Sequence, residues 1–576
     1  MEVHEHEVVI VGGGIAGLYA ALEASRSVDT AVLSKVFPTR SHSISAQGGT
    51  AAPLGNMEED SWEWHLYDTV RGADYLGDQD AQEILVRDAV EVAYELEHMG
   101  CPFSRTQEGK IAQREFGGHY SKLGKGPIRR ACYAADRTGH AMLHTLYEQC
   151  VKNDVRFYSE FFVMSLLVEN GVCSGVVAWD MKGGGLHVFH AKAVVFGTGG
   201  YARAWKVNTN ALSNTGDGMA LVLQAGLPLE DMEFVQYHPT GLYPSGVLVT
   251  EGARGEGGYL VNHEGKRFME KYAPAKMELS PRDVVSRSIQ TEINEGRGIN
   301  GQGYVHLDMR HLGREAIMEK LPQIHELILK FAGIDAVTDF VPILPTAHYA
   351  MGGIPADVNG RVVMDAKNTP VRGFFAAGEC ACVSVHGANR LGCNSTMDCA
   401  VFGRRTGRSI VKFIKEGAEK VSLPKDALEK TRSKLDCLLA AKGKESPAAI
   451  RDELQATMMV NCGVFREEKL LKEQLKVIKS LQEQYKWIEI GYKGNRFNTE
   501  LLDVIELGNM LDFVEAIVVG GLARTESRGA HSRRDFPKRD DVNWLKHTLA
   551  WKTEQGIRLD YKPVVITRFQ PEERKF

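Results

Sequence analysis

The sequence of 576 residues lacks several features that mark specialised protein classes. No apolar run approaches the length of a membrane span, and the first residues contain neither an arginine-rich transit segment nor the apolar stretch of a signal peptide. The formal net charge of −5 gives no basic footprint, which argues against nucleic acid as a partner. We therefore expect a chain that is soluble by itself and able to dock on a membrane protein.

Metal-binding cysteine patterns are also missing. The ten cysteines are scattered, none forms a C-x-x-C pair, and Cys380 and Cys382 form only a C-x-C pair, which is a weak zinc signal. The cysteine spacing of ferredoxin clusters is absent as well. We expect reduced thiols in a cytosolic setting and no metal site in this chain.

Glycine is plentiful, with 59 residues, and the chain opens on a glycine-rich motif. Four apolar β-branched residues, Val8 to Val11, precede the motif, and an Ala- and Leu-rich helical segment follows it. Gly12, Gly14 and Gly17 fill the pattern G-x-G-x-x-G, which places a pyrophosphate on the N-terminus of the helix. Between a strand and a helix, this motif predicts a dinucleotide site.

The second predicted strand departs from the pattern of NAD-binding enzymes. DTAVLSK, residues 29–35, ends on Ser34 and Lys35, where that pattern has an acid for the ribose hydroxyls. Two later segments, AKAVVFGTGGYAR (191–203) and VRGFFAAGECA (371–381), again join a strand to glycines. Motifs so far apart indicate a discontinuous nucleotide domain with an inserted domain, which is typical of FAD-binding proteins.

The segment GCNSTMDCAVFGRRTG (392–407) predicts a further helix. Asn394 or Ser395 is the expected N-cap residue. The N-terminus of a helix under a flavin stabilises negative charge on the reduced ring.

Eight longer segments follow one another along the chain and carry a resemblance to a known family. They are TRSHSISAQGG, WHLYDTVRGADYLGDQD, AADRTGHAMLHTLYE, HPTGLYPSGVLVTEGARGEGGYL, RDVVSRSI, PTAHYAMGGI, HGANRLGCNS and TESRGAHSRRDFPKRDDVNWLKHT. Over essentially its whole length the chain resembles the flavoprotein subunit of succinate dehydrogenase and fumarate reductase. The resemblance implies an α/β fold with a discontinuous Rossmann-like FAD-binding domain (1–240 and 345–422), an inserted α+β capping domain (241–344), a helical domain (423–528) and a small C-terminal domain (529–576).

The resemblance also implies a covalent flavin. In this family the histidine of R-S-H-[ST] carries FAD on the 8α-methyl carbon, and this histidine is His42 here. Covalent attachment raises the potential of the family's flavin, which suits succinate because succinate is a poor electron donor. The other residues expected at the cofactor are Gly12, Gly13, Gly14, Gly17, Ser34, Lys35, Thr39, Ser41, Gln47, Gly49, Gly199, Asp217, Glu379, Arg390 and Ser395.

The substrate that the resemblance implies is a dicarboxylate, whose pocket needs cationic and hydrogen-bonding groups. Taken singly, each candidate residue would be an ordinary polar loop residue; a site is favoured because all of them stand inside family motifs in the family's order. By resemblance, Arg282 transfers a proton, and Glu251 and Arg254 form its relay to solvent. The residues expected at the substrate are Gly48, Phe116, His238, Thr250, His348 and Arg390.

The implied reaction is oxidation of succinate to fumarate by hydride transfer to FAD. Electrons then pass to a separate iron–sulfur subunit and to quinone at a membrane anchor. The implied location is peripheral, on the cytoplasmic face of the inner (plasma) membrane of a prokaryote. The alternatives are a fumarate reductase working in reverse, L-aspartate oxidase, and a non-catalytic flavin-binding assembly subunit. His42 counts against the oxidase, Gln47 leans toward succinate oxidation, and Arg282 counts against the assembly subunit.

The last third of the chain shows other patterns. LPKDALEKTRSKLDCLLA and FREEKLLKEQLKVIKSLQEQ have the spacing of amphipathic helices with solvated charged faces. The C-terminal residues fit a small β-rich region. ARTESRGAHSRR contains Arg524, Arg528, Arg533 and Arg534, which are surface charges in the simplest interpretation; the resemblance instead makes this a mainly structural loop near the flavin domain.

Overall fold

The computed structural model describes residues 2–574, which form 22 strands and 15 α-helices. Residue 1 of the predicted FAD-binding domain and residues 575 and 576 of the predicted C-terminal domain lie outside the described residues. The strands are β1 (Glu2–Glu5), β2 (Val8–Val11), β3 (Thr30–Ser34), β4 (Thr50–Ala51), β5 (Gln113–Ser121), β6 (Gly126–Cys132), β7 (Arg156–Ser159), β8 (Phe161–Glu169), β9 (Val172–Asp180), β10 (Leu186–His190), β11 (Ala193–Phe196), β12 (Leu229–Glu230), β13 (Val235–Leu242), β14 (Tyr259–Val261), β15 (Val305–Asp308), β16 (Val341–Ala350), β17 (Ile354–Pro355), β18 (Arg361–Val363), β19 (Pro370–Ala376), β20 (Ala381–Cys382), β21 (Lys546–Thr553) and β22 (Gly556–Pro563). The helices are α1 (Ile15–Ser25), α2 (Trp62–Gly72), α3 (Gln79–His98), α4 (Thr138–Lys152), α5 (Asp217–Gln224), α6 (Gly252–Gly255), α7 (Met269–Tyr272), α8 (Arg282–Asn294), α9 (Gly313–Lys320), α10 (Pro322–Ala332), α11 (Asn394–Lys415), α12 (Ala427–Ala440), α13 (Pro447–Asn461), α14 (Glu468–Tyr485) and α15 (Thr499–Ala523).

The largest sheet has a parallel centre built from distant parts of the chain. Its strands run in the order β1-β10-β9-β19-β11-β2-β3-β7, and β19, β11, β2, β3 and β7 pair in parallel. Along β2, Val9 and Val11 face one hydrophobic core while Val8 and Ile10 face another. Both faces are therefore covered, which explains why the strand is apolar throughout. The predicted mixed α/β Rossmann-like fold is confirmed.

The glycine motif joins β2 to α1, and its backbone packs directly against neighbouring backbone atoms. Gly12 has φ +116°, and a Cβ there would lie 2.1 Å from the carbonyl oxygen of Gly197. A Cβ at Gly17 would lie 2.0 Å from the carbonyl oxygen of Gly12. Only glycine fits either position, so the motif packs α1 closely against the sheet, as the pattern predicts.

A second sheet, in the order β13-β16-β15-β14, stands beside the first with a core of its own. That core includes Leu242, Val285, Ile289 and Ile343, so α8 packs on this sheet. The proposed boundaries of the capping domain, 240/241 and 344/345, fall inside β13 and β16. These two long strands therefore connect the FAD-binding part of the chain to the capping sheet, and the division into domains stays a prediction.

Near the C-terminus, β21 and β22 form a hairpin that extends β12. The surface interpretation of the preceding arginines is wrong for Arg524, Arg528 and Arg533, which are buried. Arg524 pairs with Glu233 at 2.8 Å, and Arg528 pairs with Glu526 at 2.8 Å. The fold brings carboxylates to these guanidinium groups, and such pairing is what allows a charge to be buried. Arg534 lies at the surface, with its side chain 48% exposed.

None of the helices formed by residues 2–574 combines the length and the apolar character that crossing a membrane requires.

The stability of the fold should depend on pH through His547, which lies on the hairpin. Burial would lower its pKa, but the Asp231 and Asp78 carboxylates, at 2.7 and 3.1 Å, outweigh burial and raise the pKa to about 10. The unfolded value is about 6.5. The raised pKa therefore stabilises the fold fully below about pH 6.5, and this contribution is lost as the pH rises through 10.

We expect His547→Gln to lower the free energy of unfolding by about 3 kcal/mol at pH 6, because it removes the cation that pairs directly with the Asp231 and Asp78 carboxylates. Its urea denaturation should depend less on pH between 6.5 and 10 than that of the unmodified protein. His98→Gln, at an exposed side chain, is the control. An unchanged pH slope in His547→Gln would contradict the assignment.

Candidate active site

A long cleft crosses the ends of the parallel strands and contains about 1360 Å³ of open space. Glycines of three strand ends line it, as expected for a nucleotide that approaches the backbone. The predicted cofactor residues along its wall are Gly12, Gly13, Gly14, Ser34, Lys35, Ser41, His42, Gly199, Asp217, Glu379 and Ser395. Eleven of the sixteen predicted cofactor residues therefore lie on the wall of this one cleft.

Five other predicted cofactor residues lie around the cleft without lining it. Gly17 packs inside α1 against Gly12, and Thr39 stands in the 3-10 turn Pro38–Arg40. Gln47 and Gly49 are buried just before β4. Arg390 contacts two residues of the cleft wall, Ser395 at 2.9 Å and His348 at 3.0 Å.

At one end of the cleft, a lysine replaces the acid of the NAD pattern, and its partners come from distant elements. Lys35 Nζ lies 2.7 Å from carboxylate oxygens of Asp217 and of Glu506. Asp217 begins α5, and Glu506 belongs to α15. The NAD pattern has an acid at the end of the strand that is β3 here. In this chain the acid at the cleft is Asp217, from α5. Glu506 was not predicted, since nothing in the local sequence connects α15 with the cleft.

His42 lies in a 3-10 turn, His42–Ser45, on the wall of the cleft. Removal from solvent lowers its pKa to about 4, so the imidazole is neutral near pH 7. The backbone N–H of Ala211 donates to His42 Nδ1 at 3.2 Å. Because Nδ1 accepts this bond, the neutral ring carries its proton on Nε2, which lies 3.5 Å from the side-chain amide nitrogen of Asn210.

The backbone after His42 is held by an arginine. Arg114 donates to the carbonyl oxygen of Gly48 through Nη2 and Nε, at 2.6 and 3.0 Å, and to that of Gln47 at 3.1 Å. Phe116 packs so closely on Gly48 that a Cβ there would lie 2.6 Å from the ring. Gly48 and Phe116 are thus neighbours, as expected. Arg114 was missed, although it stands two residues before Phe116.

The helix that follows GCNS begins as expected, but its predicted cap is wrong. Cys393, with φ +63°, is the N-cap residue of α11, and no side chain caps the helix. Asn394 is not free to cap because its oxygen lies 2.9 Å from His65 Nε2 and its amide donates to Thr69. Ser395 instead accepts the hydrogen bond from Arg390. Tertiary contacts therefore use both side chains.

Beyond the end of the cleft that His348 lines, buried polar groups converge on Gln236. Arg390 Nη2 donates to Gln236 Oε1 at 3.2 Å, and Arg282 Nη1 donates to the same oxygen at 3.1 Å. Arg390 Nη2 also lies 3.0 Å from His348 Nε2. Gln236 stands on β13, two residues before His238, and was not predicted. One amide oxygen therefore holds two guanidinium groups next to each other.

The two predicted substrate histidines are in ring contact, with centroids 4.9 Å apart. Burial lowers the pKa of His238 and of His348 well below the usual value, and Arg282 lowers both further. Both are therefore neutral. Thr240 donates its backbone N–H to His238 Nδ1 at 3.2 Å, which leaves Nε2–H of His238 as a donor. Thr250, also buried, accepts from the backbone N–H of Gly252 at 3.2 Å.

The three residues expected to move a proton form a buried chain. Arg282 Nε donates to Glu251 Oε2 at 2.7 Å, and Arg254 Nη2 lies 3.5 Å from the same oxygen. Arg254 also donates to the carbonyl oxygen of Glu278. Burial would raise the pKa of Glu251, but Arg282 and Arg254 lower it below the usual value. Glu251 is therefore an ionised link between Arg254 and Arg282. We call Arg254, Arg282 and Arg390 together the arginine cluster.

Comparison with known proteins agrees with this geometry. The family model of the FAD binding domain matches residues 7–396, and that of the fumarate reductase flavoprotein C-terminus matches residues 451–576. The succinate dehydrogenase flavoprotein subunit of Rickettsia bellii is 50% identical over 99% of this chain and 97% of its own. The chain belongs to the family of succinate dehydrogenase and fumarate reductase flavoprotein subunits. The predicted family is confirmed.

Two further relatives of this flavoprotein span both physiological directions. The mitochondrial succinate dehydrogenase flavoprotein subunit of Oryza sativa is 48% identical over all of this chain and 92% of its own. A solved structure of E. coli quinol fumarate reductase has a TM-score of 0.93 at 40% identity, and covers 100% of this chain and 99% of that one. The family membership therefore rests on relatives that match the chain over its whole length.

FAD is the cofactor of this flavoprotein, and the residues of the cleft fit it. A Cβ at Gly13 would lie 3.0 Å from Pro38, so the cradle is shaped for close backbone approach. At the other end, Arg390 Nε is buried and has no hydrogen-bond partner among residues 2–574. A buried donor of this kind indicates a ligand.

Proposed function

We propose that this flavoprotein subunit oxidises succinate to fumarate. The observation that carries the proposal is the meeting of the FAD cleft with the arginine cluster at His348, which lines the cleft and contacts Arg390. FAD, when bound, supplies the hydride acceptor. Cationic donors at the same end suit a substrate with a carboxylate at each end.

In this proposal the substrate is held by neutral histidines and a cation. His238 Nε2–H and the Arg390 guanidinium donate to carboxylate oxygens, with Thr250 and the backbone N–H of Gly48 as further donors. Phe116 packs beside the substrate and excludes water. His238 and His348 are neutral, so they add no positive charge beside the arginines. Charged imidazoles would repel the guanidinium groups.

Arg282 passes one of its own protons to the Glu251 carboxylate and takes the proton from the carbon next to the one that loses the hydride; the reverse reaction runs both transfers backwards. The guanidinium needs a path for this proton, and Glu251 at 2.7 Å is an ionised acceptor for it. Arg254 continues the path from Glu251. Microscopic reversibility requires the same residues in both directions.

We infer that FAD is attached covalently to His42. His42 lines the FAD cleft with a neutral imidazole, and because Nδ1 accepts from Ala211, Nε2 gives up its proton to become the nucleophile. The bond would join Nε2 to the 8α-methyl carbon of the flavin: the imidazole and the methyl group would each lose a proton, and the two electrons of the broken C–H bond would reduce the bound flavin.

The electrons need a further carrier, for which we propose an iron–sulfur subunit on a quinone-reactive membrane anchor. The ten cysteines of this chain lack ferredoxin spacing, and eight of them are buried thiols. The whole assembly would sit on the cytoplasmic face of the inner (plasma) membrane of a prokaryote, with this chain peripheral. Gln47 leans toward succinate oxidation as the working direction.

The test is a pair of steady-state rates measured on the purified complex, succinate oxidation with quinone and fumarate reduction with quinol. We expect oxidation to be the faster of the two. Faster fumarate reduction would reverse the proposed direction, and the absence of both rates in a flavin-loaded complex would favour the non-catalytic alternative.

A further inference from the structure

The segment from Val564 to Arg574 lies along the FAD-binding part of the chain and is held there by Gln79. The side-chain oxygen of this buried residue accepts the backbone N–H groups of Thr567, Arg568 and Phe569 at 3.2, 2.8 and 3.0 Å. Its amide donates to the carbonyl oxygen of Phe569 at 2.6 Å. The path of the segment is therefore fixed before it reaches Arg574.

Arg574 joins two parts of the molecule that meet at the active site. Its guanidinium lies 3.1 Å from Asp74, which follows α2, and 3.1 Å from Asp283, the second residue of α8. All three side chains are at most 8% exposed. Asp283 directly follows Arg282, so Arg574 connects the FAD-binding part with the backbone that carries the proton-transfer residue.

The charges at this junction need a cation between them. Burial would raise the pKa of both carboxyls, and Asp74 raises that of Asp283 further, but Arg574 is the strongest influence that lowers them; Asp74 has a pKa of about 2. Arg287 also pairs with Asp283, and Arg528 and Arg539 face Asp74. Of these, Arg574 contacts both carboxylates and so joins them directly.

We propose that Arg574 is a positioning residue for Arg282, holding the start of α8 against the FAD-binding part so that Arg282 meets the substrate and Glu251 at once. The proposal rests on the proposed role of Arg282. Arg574 and Arg282 also line one small cavity together with Arg390, which places the three guanidinium groups in one neighbourhood. A displacement of about 1 Å at a reacting group can lower a rate by roughly 100-fold.

The test is Arg574→Gln in the flavin-loaded complex. We expect kcat per bound flavin to fall by roughly 10- to 100-fold while KM for succinate changes little, because the substrate-holding residues are not altered. The isotope effect with deuterated succinate should rise, since bond breaking becomes more rate-limiting. A loss of folded protein alone would lower the yield of flavin-loaded enzyme and leave both quantities unchanged.

Two further variants complete the design. Arg568→Gln removes an arginine of the same segment that pairs with Glu83 near the surface, and should keep kcat within twofold. Arg574→Lys keeps the charge but loses the two-sided fork, and should give an intermediate kcat. It also decides the question if Arg574→Gln does not fold.

The inference would be overturned if Arg574→Gln kept kcat per flavin within twofold of the unmodified enzyme and left the isotope effect unchanged. If only Arg574→Lys folds, the same result in that variant would overturn it. The companion variant Arg282→Lys separates the two proposals. If Arg282→Lys is inactive and Arg574→Gln is normal, only the positioning role fails; if Arg282→Lys is itself active, the proposed proton transfer fails.

Discussion

Arg282→Lys should keep the flavin and lose turnover by roughly 10²- to 10⁴-fold, the range that a proton-transfer group contributes. Arg282 makes two directional contacts at once, Nε to Glu251 and Nη1 to Gln236. A lysine ammonium is a single point charge and cannot reproduce a fork held on both sides. Either the link to Glu251 or the position next to the substrate is therefore lost.

The measurement is the steady-state rate of succinate oxidation per bound flavin. Arg310→Lys is the matched control, because Arg310 belongs to the same inserted segment, pairs with Asp308 beside it, and has a side chain 39% exposed. We expect the control to match the unmodified enzyme. Turnover of Arg282→Lys within tenfold of that enzyme would remove Arg282 from the proton-transfer role.

His42→Ala should abolish the covalent flavin altogether. After denaturing electrophoresis, the unmodified chain is expected to show yellow fluorescence under ultraviolet light, and the variant none. The cleft walls other than His42 remain, so the variant should still bind FAD reversibly. Because covalent attachment raises the potential of the family's flavin, succinate oxidation should fall by more than fumarate reduction does.

His98→Ala, at an exposed side chain, is the control for the histidine change. Expression of the unmodified chain in the same host shows whether that host attaches flavin at all. Fluorescence that stays with the His42→Ala polypeptide would place the attachment on another residue. If both reaction rates fell equally, the covalent bond would have no effect on the flavin potential.

Local sequence patterns anticipated the parts of this molecule that local forces determine. The strand, the glycines and the helix of residues 8–25 follow from side-chain periodicity and from backbone approach that only glycine permits. The resemblance then supplied His42, Arg282 and Arg390 because their motifs are long and specific. The confirmed fold and family rest on these patterns.

Other features depend on partners that are tens to hundreds of residues away, and no local pattern contains them. Gln236 takes its importance from Arg282 and Arg390, which are 46 and 154 residues distant. The N-cap expected of Asn394 failed because His65, 329 residues away, competes for its oxygen.

The sequence by itself therefore determined the nucleotide-binding fold, the family and the residue types of the site. The tertiary structure alone decided which charges are buried together. It pairs Lys35 with Glu506, Arg524 with Glu233, and Asp283 with Arg574. The physical reason is that a charge enters the interior only with a partner, and the partner is chosen by the packing of distant elements.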